Sequence, residues 1–274
     1  MKTLYYYQTF VGLHKLFPHL TDIDVITVSS IHFDESKEGS KNIYLNDNLP
    51  DDPKFDDMWR EVELVSAQGV TIMLMVGGAG GAYTNLFKDF KTYYPMLRSL
   101  LQSKSFIQGV DLDVEELVNL SDIQMLIRTL KQDFPDLLLS MAPIAESLVS
   151  DGPGMGGFSY KTLLNSREGS QIDWLNAQCY GSFSYETVKR IVKNGYDPAK
   201  IVMGMLSGQF TTATFPNALK EVQQILLKYP TFGGVFDWEY LDAPPDPQDP
   251  SQWCKRMKDA KESLWVQGGD TILE

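Results

Sequence analysis

The stretch Phe106-Ile107-Gln108-Gly109-Val110-Asp111-Leu112-Asp113-Val114-Glu115 opens apolar and then sets three carboxyl groups at alternate positions. Alternate side chains of a β-strand share one face and stand roughly 7 Å apart, so Asp111, Asp113 and Glu115 are expected to form a line. Neighbouring carboxyl groups in a partly dry site cannot all ionise cheaply. Protons are shared and at least one pKa rises, which is how a protein keeps a general acid protonated at neutral pH. Glu116 follows on the opposite face and is expected at the surface.

Outward from this strand, short apolar or β-branched runs alternate with amphipathic stretches, the pattern of parallel strands joined by crossover helices. Eight strands are expected, at Leu4–Phe10, Asp24–Ser30, Val70–Val76, Ile107–Glu115, Leu137–Ala142, Ile172–Tyr180, Ile201–Leu206 and Gly233–Trp238. Helices are expected between them, among others at Phe55–Ala67, Asn85–Leu101, Ser121–Phe134, Ser184–Asn194, Pro216–Tyr229 and Ser251–Leu264. Eight such units make an α/β chain with a closed (β/α)8 (TIM) barrel, a single catalytic domain over residues 1–274. Active sites of such barrels sit at the C-terminal ends of the strands. Those positions carry Gly77-Gly78-Ala79-Gly80-Gly81, Asp113 and Glu115, Met141-Ala142-Pro143, Gln178 and Tyr180, and Trp238-Glu239-Tyr240.

Composition narrows the ligand. The chain has 274 residues, 43% hydrophobic and 22% charged, with a formal net charge of −12. That charge argues against nucleic acid or another polyphosphate and favours a neutral substrate. Cys179 and Cys254 lie far apart and form no CxxC pair, so no disulfide framework or zinc site is indicated and both are expected as small buried hydrophobes. The N-terminus lacks the apolar run of a signal peptide and no segment reaches membrane-spanning length, so the expectation is a cytoplasmic chain with no membrane partner, or a secreted one if a leader has been removed.

Chemistry is expected from the acidic strand. Carboxyl groups two residues apart on one strand stand side by side, whereas the usual pair in glycoside hydrolysis flanks the bond. Side by side, Glu115 would protonate a leaving oxygen while Asp113 orients a nucleophile that the substrate itself supplies, such as the acetamido carbonyl of N-acetylglucosamine. A divalent cation site is the rival use of such a row, but His14, His19 and His32 show no metal-ligand spacing, so no metal and no cofactor are expected. The glycine run lacks the following Lys-Ser/Thr pair of a phosphate loop. A tight loop at Gly77 and Gly78 that lets a sugar approach the backbone fits better. Trp238 is either core or an apolar floor beneath a pyranose ring. Tyr180, Gln178 and Asn176 share a polar strand face that lines a cavity or a hydrogen-bonded core.

These residues resemble a known family. Gln108-Gly109-Val110-Asp111-Leu112-Asp113-Val114-Glu115 is similar to the DGxDxDxE signature of glycoside hydrolase family 18, the chitinases and endo-β-N-acetylglucosaminidases. Further segments narrow the likeness to the fungal endo-T type: Leu45-Asn46-Asp47 with Pro50-Asp51-Asp52-Pro53, Met75-Val76-Gly77-Gly78-Ala79, Gly157-Phe158-Ser159-Tyr160, Ile172-Asp173-Trp174, Gln178-Cys179-Tyr180, and Gly233-Gly234-Val235 with Trp238-Glu239-Tyr240. The resemblance implies Glu115 as acid/base, Asp113 as the carboxyl that holds the acetamido group, and Asp111 sharing its proton. It also implies a hydrogen bond from Tyr180 to the acetamido oxygen and Trp238 beneath the sugar. Gln178, Gly77, Gly78, Met141 and Asn176 complete the expected substrate contacts.

Two departures stand out. Gln108 replaces the first Asp of the signature, which would alter hydrogen bonding behind the site. Cys179 replaces a common aromatic, but alternation turns it to the helical layer. The expected activity is retaining, substrate-assisted cleavage of a β-1,4 N-acetylglucosaminyl bond, in the di-N-acetylchitobiose core of N-glycans or alternatively in chitin. The expected partner is an N-acetylglucosamine-containing oligosaccharide or glycoprotein, met by a monomer. Only about ten residues, Ser207–Pro216, separate the seventh expected strand from its helix, too few for the insertion domain of many processive chitinases. A lectin that has lost catalysis is the non-enzymatic alternative, and the presence of Glu115 argues against it.

Overall fold

The computed structural model describes residues 1–35 and 39–269, with the backbone alone for 265–269. Nine strands occur in it: β1 (Lys2–Tyr7), β2 (Val25–Glu35), β3 (Lys41–Leu45), β4 (Thr71–Gly77), β5 (Ile107–Asp113), β6 (Leu138–Met141), β7 (Trp174–Gln178), β8 (Ile201–Leu206) and β9 (Gly234–Trp238). Eight are parallel neighbours in the order β1-β9-β8-β7-β6-β5-β4-β2, and β1 pairs with β2 to close the ring. The barrel expected from the eight apolar runs is therefore present. β3 is an addition the alternation did not reveal. It pairs antiparallel with the distal half of β2, from Ile31 opposite Leu45 to Glu35 opposite Lys41, and carries that ribbon beyond the barrel rim.

Period-2 alternation sorts the strand residues between two cores. Leu4, Tyr6, Met73, Met75, Trp174 and Phe236 meet inside the barrel. Gly204 makes room there, since a Cβ on it would stand 2.0 Å from the Phe236 ring. The other faces pack against the helices α1 (Asp56–Ala67), α2 (Tyr83–Lys88), α3 (Phe90–Ser103), α4 (Leu120–Asp133), α5 (Ala145–Ser150), α6 (Tyr160–Leu164), α7 (Tyr185–Lys193), α8 (Phe215–Lys228) and α9 (Ser251–Gly269). In α4, Ile123, Leu126, Ile127 and Leu130 recur at helical spacing and are fully buried, each worth about 1.5–3 kcal/mol of transfer free energy.

Boundaries moved where tertiary contacts outweigh local pattern. β1 ends at Tyr7 rather than Phe10, because Gln8 and Thr9 give their backbone N–H groups to the Glu239 carboxylate instead of a ladder. The helix expected over Asn85–Leu101 is two, broken at Asp89, whose φ/ψ of −143°/64° is not helical. The Asp89 carboxylate is held 2.7 Å from Lys41 Nζ of β3. Between β8 and α8 there is only a short turn, with no inserted domain. Cys179 and Cys254 are buried free thiols, and burial pushes both up to about 12.

Candidate active site

A cleft of about 1330 Å³ opens at the C-terminal ends of the strands. Its floor holds Asp113, Glu115, Gln178, Tyr180 and Trp238. From there it runs over the loop after β1, the β2–β3 ribbon and the glycine loop after β4.

The acidic line enters from below. Asp111 is fully buried in the barrel, where its Oδ2 accepts from the Tyr6 hydroxyl at 2.7 Å and its Oδ1 accepts from Ser140 Oγ at 2.5 Å and Asn176 Nδ2 at 3.0 Å. Burial raises its carboxyl above the ordinary value, and the three donors pull it part of the way back. Asp113, 5% exposed, has no such set. Burial pushes it well above the usual carboxylate range, and the negative charges of Glu115 and Asp111 push it further. Gln178 Nε2 stands 3.3 Å from Asp113 Oδ1, 3.2 Å from Glu115 Oε1 and 2.8 Å from the Ala142 carbonyl. The arrangement sets a carboxyl whose pKa is raised beside a second carboxyl on the floor of an open cleft, which is the kind of pair suited to proton transfer.

The expected site residues divide. Glu115, Asp113, Gln178, Tyr180, Trp238, Gly77 and Gly78 all line the cleft, whereas Asp111 lies beneath it. Trp238 is half-buried, 5.2 Å from the Tyr6 ring, so one part of it packs as core and another meets the cleft. Asn176 is not a cleft residue. It is fully buried and spends its amide on Asp111 and the Tyr6 hydroxyl, while its carbonyl accepts from Trp174 Nε1. Met141 also fails to reach the cleft, because alternation in β6 turns Ser140 inward to Asp111 and Met141 outward into the helical layer.

Glycine is required at Gly77 by the chain itself. Its φ is +98°, and a Cβ would stand 2.2 Å from the Asp113 carbonyl oxygen and 2.5 Å from the Tyr83 ring. The close contact is with the chain itself. Gly78, at φ +88°, is likewise crowded by Met75.

Glu115, Glu116 and Gln108 also differ from expectation. β5 ends at Asp113, so Glu115 stands on the loop beyond it. Glu116 is not a free surface residue. Its carboxylate lines the cleft and accepts from the backbone N–H groups of Ala82, Tyr83 and Thr84. Burial would raise that carboxyl, but these bonds outweigh it and hold it below its ordinary value. Gln108 lies at the opposite end of β5, exposed, where its Oε1 accepts from Ile72 N–H at 3.3 Å. It therefore does not alter the hydrogen bonds behind the site.

Tyr6, Ser140 and His32 were missed. Ser140 could have been found by asking which inward residue of a neighbouring strand lies level with Asp111, since it is the register partner of Asp111; Tyr6, on β1 across the barrel, reaches Asp111 through the interior and no strand pairing signals it. His32 lines the cleft, with Nδ1 2.6 Å from the Gly81 carbonyl oxygen and Nε2 2.7 Å from Ser30 Oγ. Among the described residues no cluster of three or more His, Cys, Asp or Glu is arranged to hold a metal, and no helix is long and apolar enough to cross a membrane.

No family model and no curated protein matches the chain by sequence. Solved structures do. A fungal endo-β-N-acetylglucosaminidase from glycosyl hydrolase family 18 is similar at 30% identity over 95% of this chain and 98% of that one, with a TM-score of 0.83. The chitinase ChiC from Aspergillus fumigatus is similar at 31% identity over 97% and 99%, with a TM-score of 0.80. A chitinase-like agglutinin from Robinia pseudoacacia shares the fold at 12% identity, over 94% and 99%, with a TM-score of 0.62. With full-length likeness to two such structures at this level, and the acidic strand delivered to the floor of the cleft, the chain belongs to glycoside hydrolase family 18.

Proposed function

We propose that this chain hydrolyses the β-1,4 bond that follows an N-acetylglucosamine residue, with retention of configuration, and that its substrate is the di-N-acetylchitobiose core of N-glycans. The observation that carries the chemistry is the position of Asp113 and Glu115 on one side of the cleft, sharing the amide of Gln178. A pair so arranged serves an acid and a helper better than an acid and a base on opposite faces of a sugar.

In this reading the Glu115 carboxyl gives its proton to the glycosidic oxygen. The acetamido carbonyl oxygen attacks C1 as the C1–O bond breaks, which forms an oxazolinium ion. Asp113 hands its proton toward Asp111 and, as carboxylate, holds the acetamido N–H. Glu115, now a carboxylate, takes a proton from water as that water opens the ring at C1. Two inversions leave the β-anomer. Tyr180 would donate to the acetamido oxygen and Trp238 would lie beneath the ring.

The choice of N-glycan rests on the shape of the cleft. It extends over the loop after β1, the β2–β3 ribbon and the loop after β4, and only a short turn joins β8 to α8, with no inserted domain there to deepen it. An open trough of that kind suits a branched glycan joined to a protein. Chitin is the second reading, supported by the 31% identity to the Aspergillus chitinase. The test is incubation with a high-mannose glycoprotein and with chitin oligomers, each with EDTA present, and identification of products by mass. Glycan released with one N-acetylglucosamine at its end supports the first reading, and chitobiose from the oligomers alone supports the second. No product from either refutes both and favours a sugar-binding protein.

A further inference from the structure

The backbone of Glu115 lies outside the barrel ladder, although its carboxylate accepts from Gln178 at the end of β7 at 3.2 Å. β5 ends two residues before Glu115, so the ladder that fixes Asp111 and Asp113 does not reach it. Besides that contact, two ties bind the segment around Glu115 to the loop after β4. Before Glu115, the Asp113 carbonyl accepts from Gly78 N–H at 2.9 Å, an approach open only because Gly77 has no side chain. After Glu115, the Glu116 carboxylate takes the three successive backbone N–H groups of Ala82, Tyr83 and Thr84, together with the Thr84 hydroxyl.

That loop is itself stiff. The Tyr83 ring is fully buried and its hydroxyl donates to the Val76 carbonyl at 2.7 Å. On its other side, His32 Nδ1 holds the Gly81 carbonyl. Charge-assisted bonds to a carboxylate are the strong ones, and four of them converge on Glu116.

We propose that Glu116 is a positioning residue for the reaction: it clamps the end of the acid-bearing loop to Ala82–Thr84 and so sets where the Glu115 carboxyl stands against Gln178 and Asp113. The inference rests on the reading of Glu115 as the acid. It differs from a sugar-binding role for Glu116, which its place in the cleft wall also allows, and from a role in stability alone.

The test compares wild type with Glu116→Gln and Thr84→Ala. A carboxamide has one acceptor oxygen and turns an NH2 toward the backbone donors, so part of the clamp is lost with little change in shape. Glu116→Gln is expected to lower kcat about 10- to 100-fold on a soluble N-acetylglucosaminyl oligosaccharide with KM within about threefold, the cost of displacing a reacting group by up to about 1 Å. Thr84→Ala, which removes only one of the four bonds, is expected to cost about threefold in kcat, and to add nothing in the Glu116→Gln background. A lowered melting temperature with unchanged kcat overturns the proposal in favour of stability. A raised KM with unchanged kcat overturns it in favour of substrate contact.

Wild-type turnover tests the assigned reaction separately, and a crystal structure of Glu116→Gln tests the clamp without turnover. The Glu115–Gln178 contact, 3.2 Å in the wild type, is expected to open beyond hydrogen-bond reach, about 3.5 Å. An unmoved Glu115 overturns the proposal.

Discussion

Gln178 Nε2 lies 3.2 Å from Glu115 Oε1, yet the same nitrogen also faces Asp113 Oδ1 and the Ala142 carbonyl. An amide nitrogen has two protons for these three acceptors. Ala142 takes the shortest contact, so the two carboxyl groups divide what is left. Burial, together with the charges of Glu115 and Asp111, pushes the Asp113 carboxyl well above the usual carboxylate range.

Glu115→Gln removes the proton donor and keeps the shape. We expect kcat to fall at least ~10²-fold while oligosaccharide affinity stays within a few-fold. Steady-state kinetics with calorimetric binding checks this, and unchanged turnover would refute Glu115 as the acid.

Asp113→Asn makes opposite demands on activity and stability. Activity is lost because a carboxamide cannot become the carboxylate that holds the oxazolinium. For stability, the native pKa lies above the unfolded one, so between the two values the folded chain keeps a proton that the unfolded chain has released. The contribution of Asp113 to stability is full below the unfolded value and is lost as pH rises through the native value. Asn carries no such loss, so the melting temperature of the variant relative to wild type should climb as pH rises above the ordinary carboxylate range, about pH 4. Differential scanning calorimetry at several pH values measures it, and a flat difference would contradict the raised pKa.

Substrate assistance is visible in the product. The sugar freshly released should be the β-anomer by NMR, and analogues without the N-acetyl group should not turn over. An initial α-anomer, or rapid cleavage of a plain glucan, would rule the mechanism out.

Gly77→Ala should damage both fold and site. The new Cβ would meet the Asp113 carbonyl at 2.2 Å at a φ of +98°, which calls for movement of β4 against β5. We expect a loss of about 1–3 kcal/mol in urea denaturation together with reduced activity. A variant as stable and active as wild type would show that the contact relaxes freely.

Much of the site was legible in the chain because β-alternation is a local rule. Asp111 and Asp113 share a face from spacing alone, and Cys179 points away from it by the same rule. The rule failed where its phase was taken wrongly, at Met141, whose neighbour Ser140 is the inward residue. It also failed where the strand stops, since Glu115 and Glu116 lie on a loop and periodicity says nothing about a loop. Asn176 was placed on the correct face but at the wrong depth. Depth depends on register between strands, which brings Asn176 to Asp111 across 65 positions of sequence.

The amino-acid sequence by itself determined the eight-unit barrel, the acidic strand and the end of the barrel where it acts, because hydrophobic period and strand polarity are written residue by residue. Only the tertiary structure decided which carboxyl groups have their pKa raised or lowered and what ties down the loop that bears Glu115. Those depend on the donors that distant segments bring to each oxygen: Tyr6, Ser140 and Asn176 to Asp111, and Ala82, Tyr83 and Thr84 to Glu116. Such meetings are set by closure of the ring and by loop paths, which no local pattern encodes.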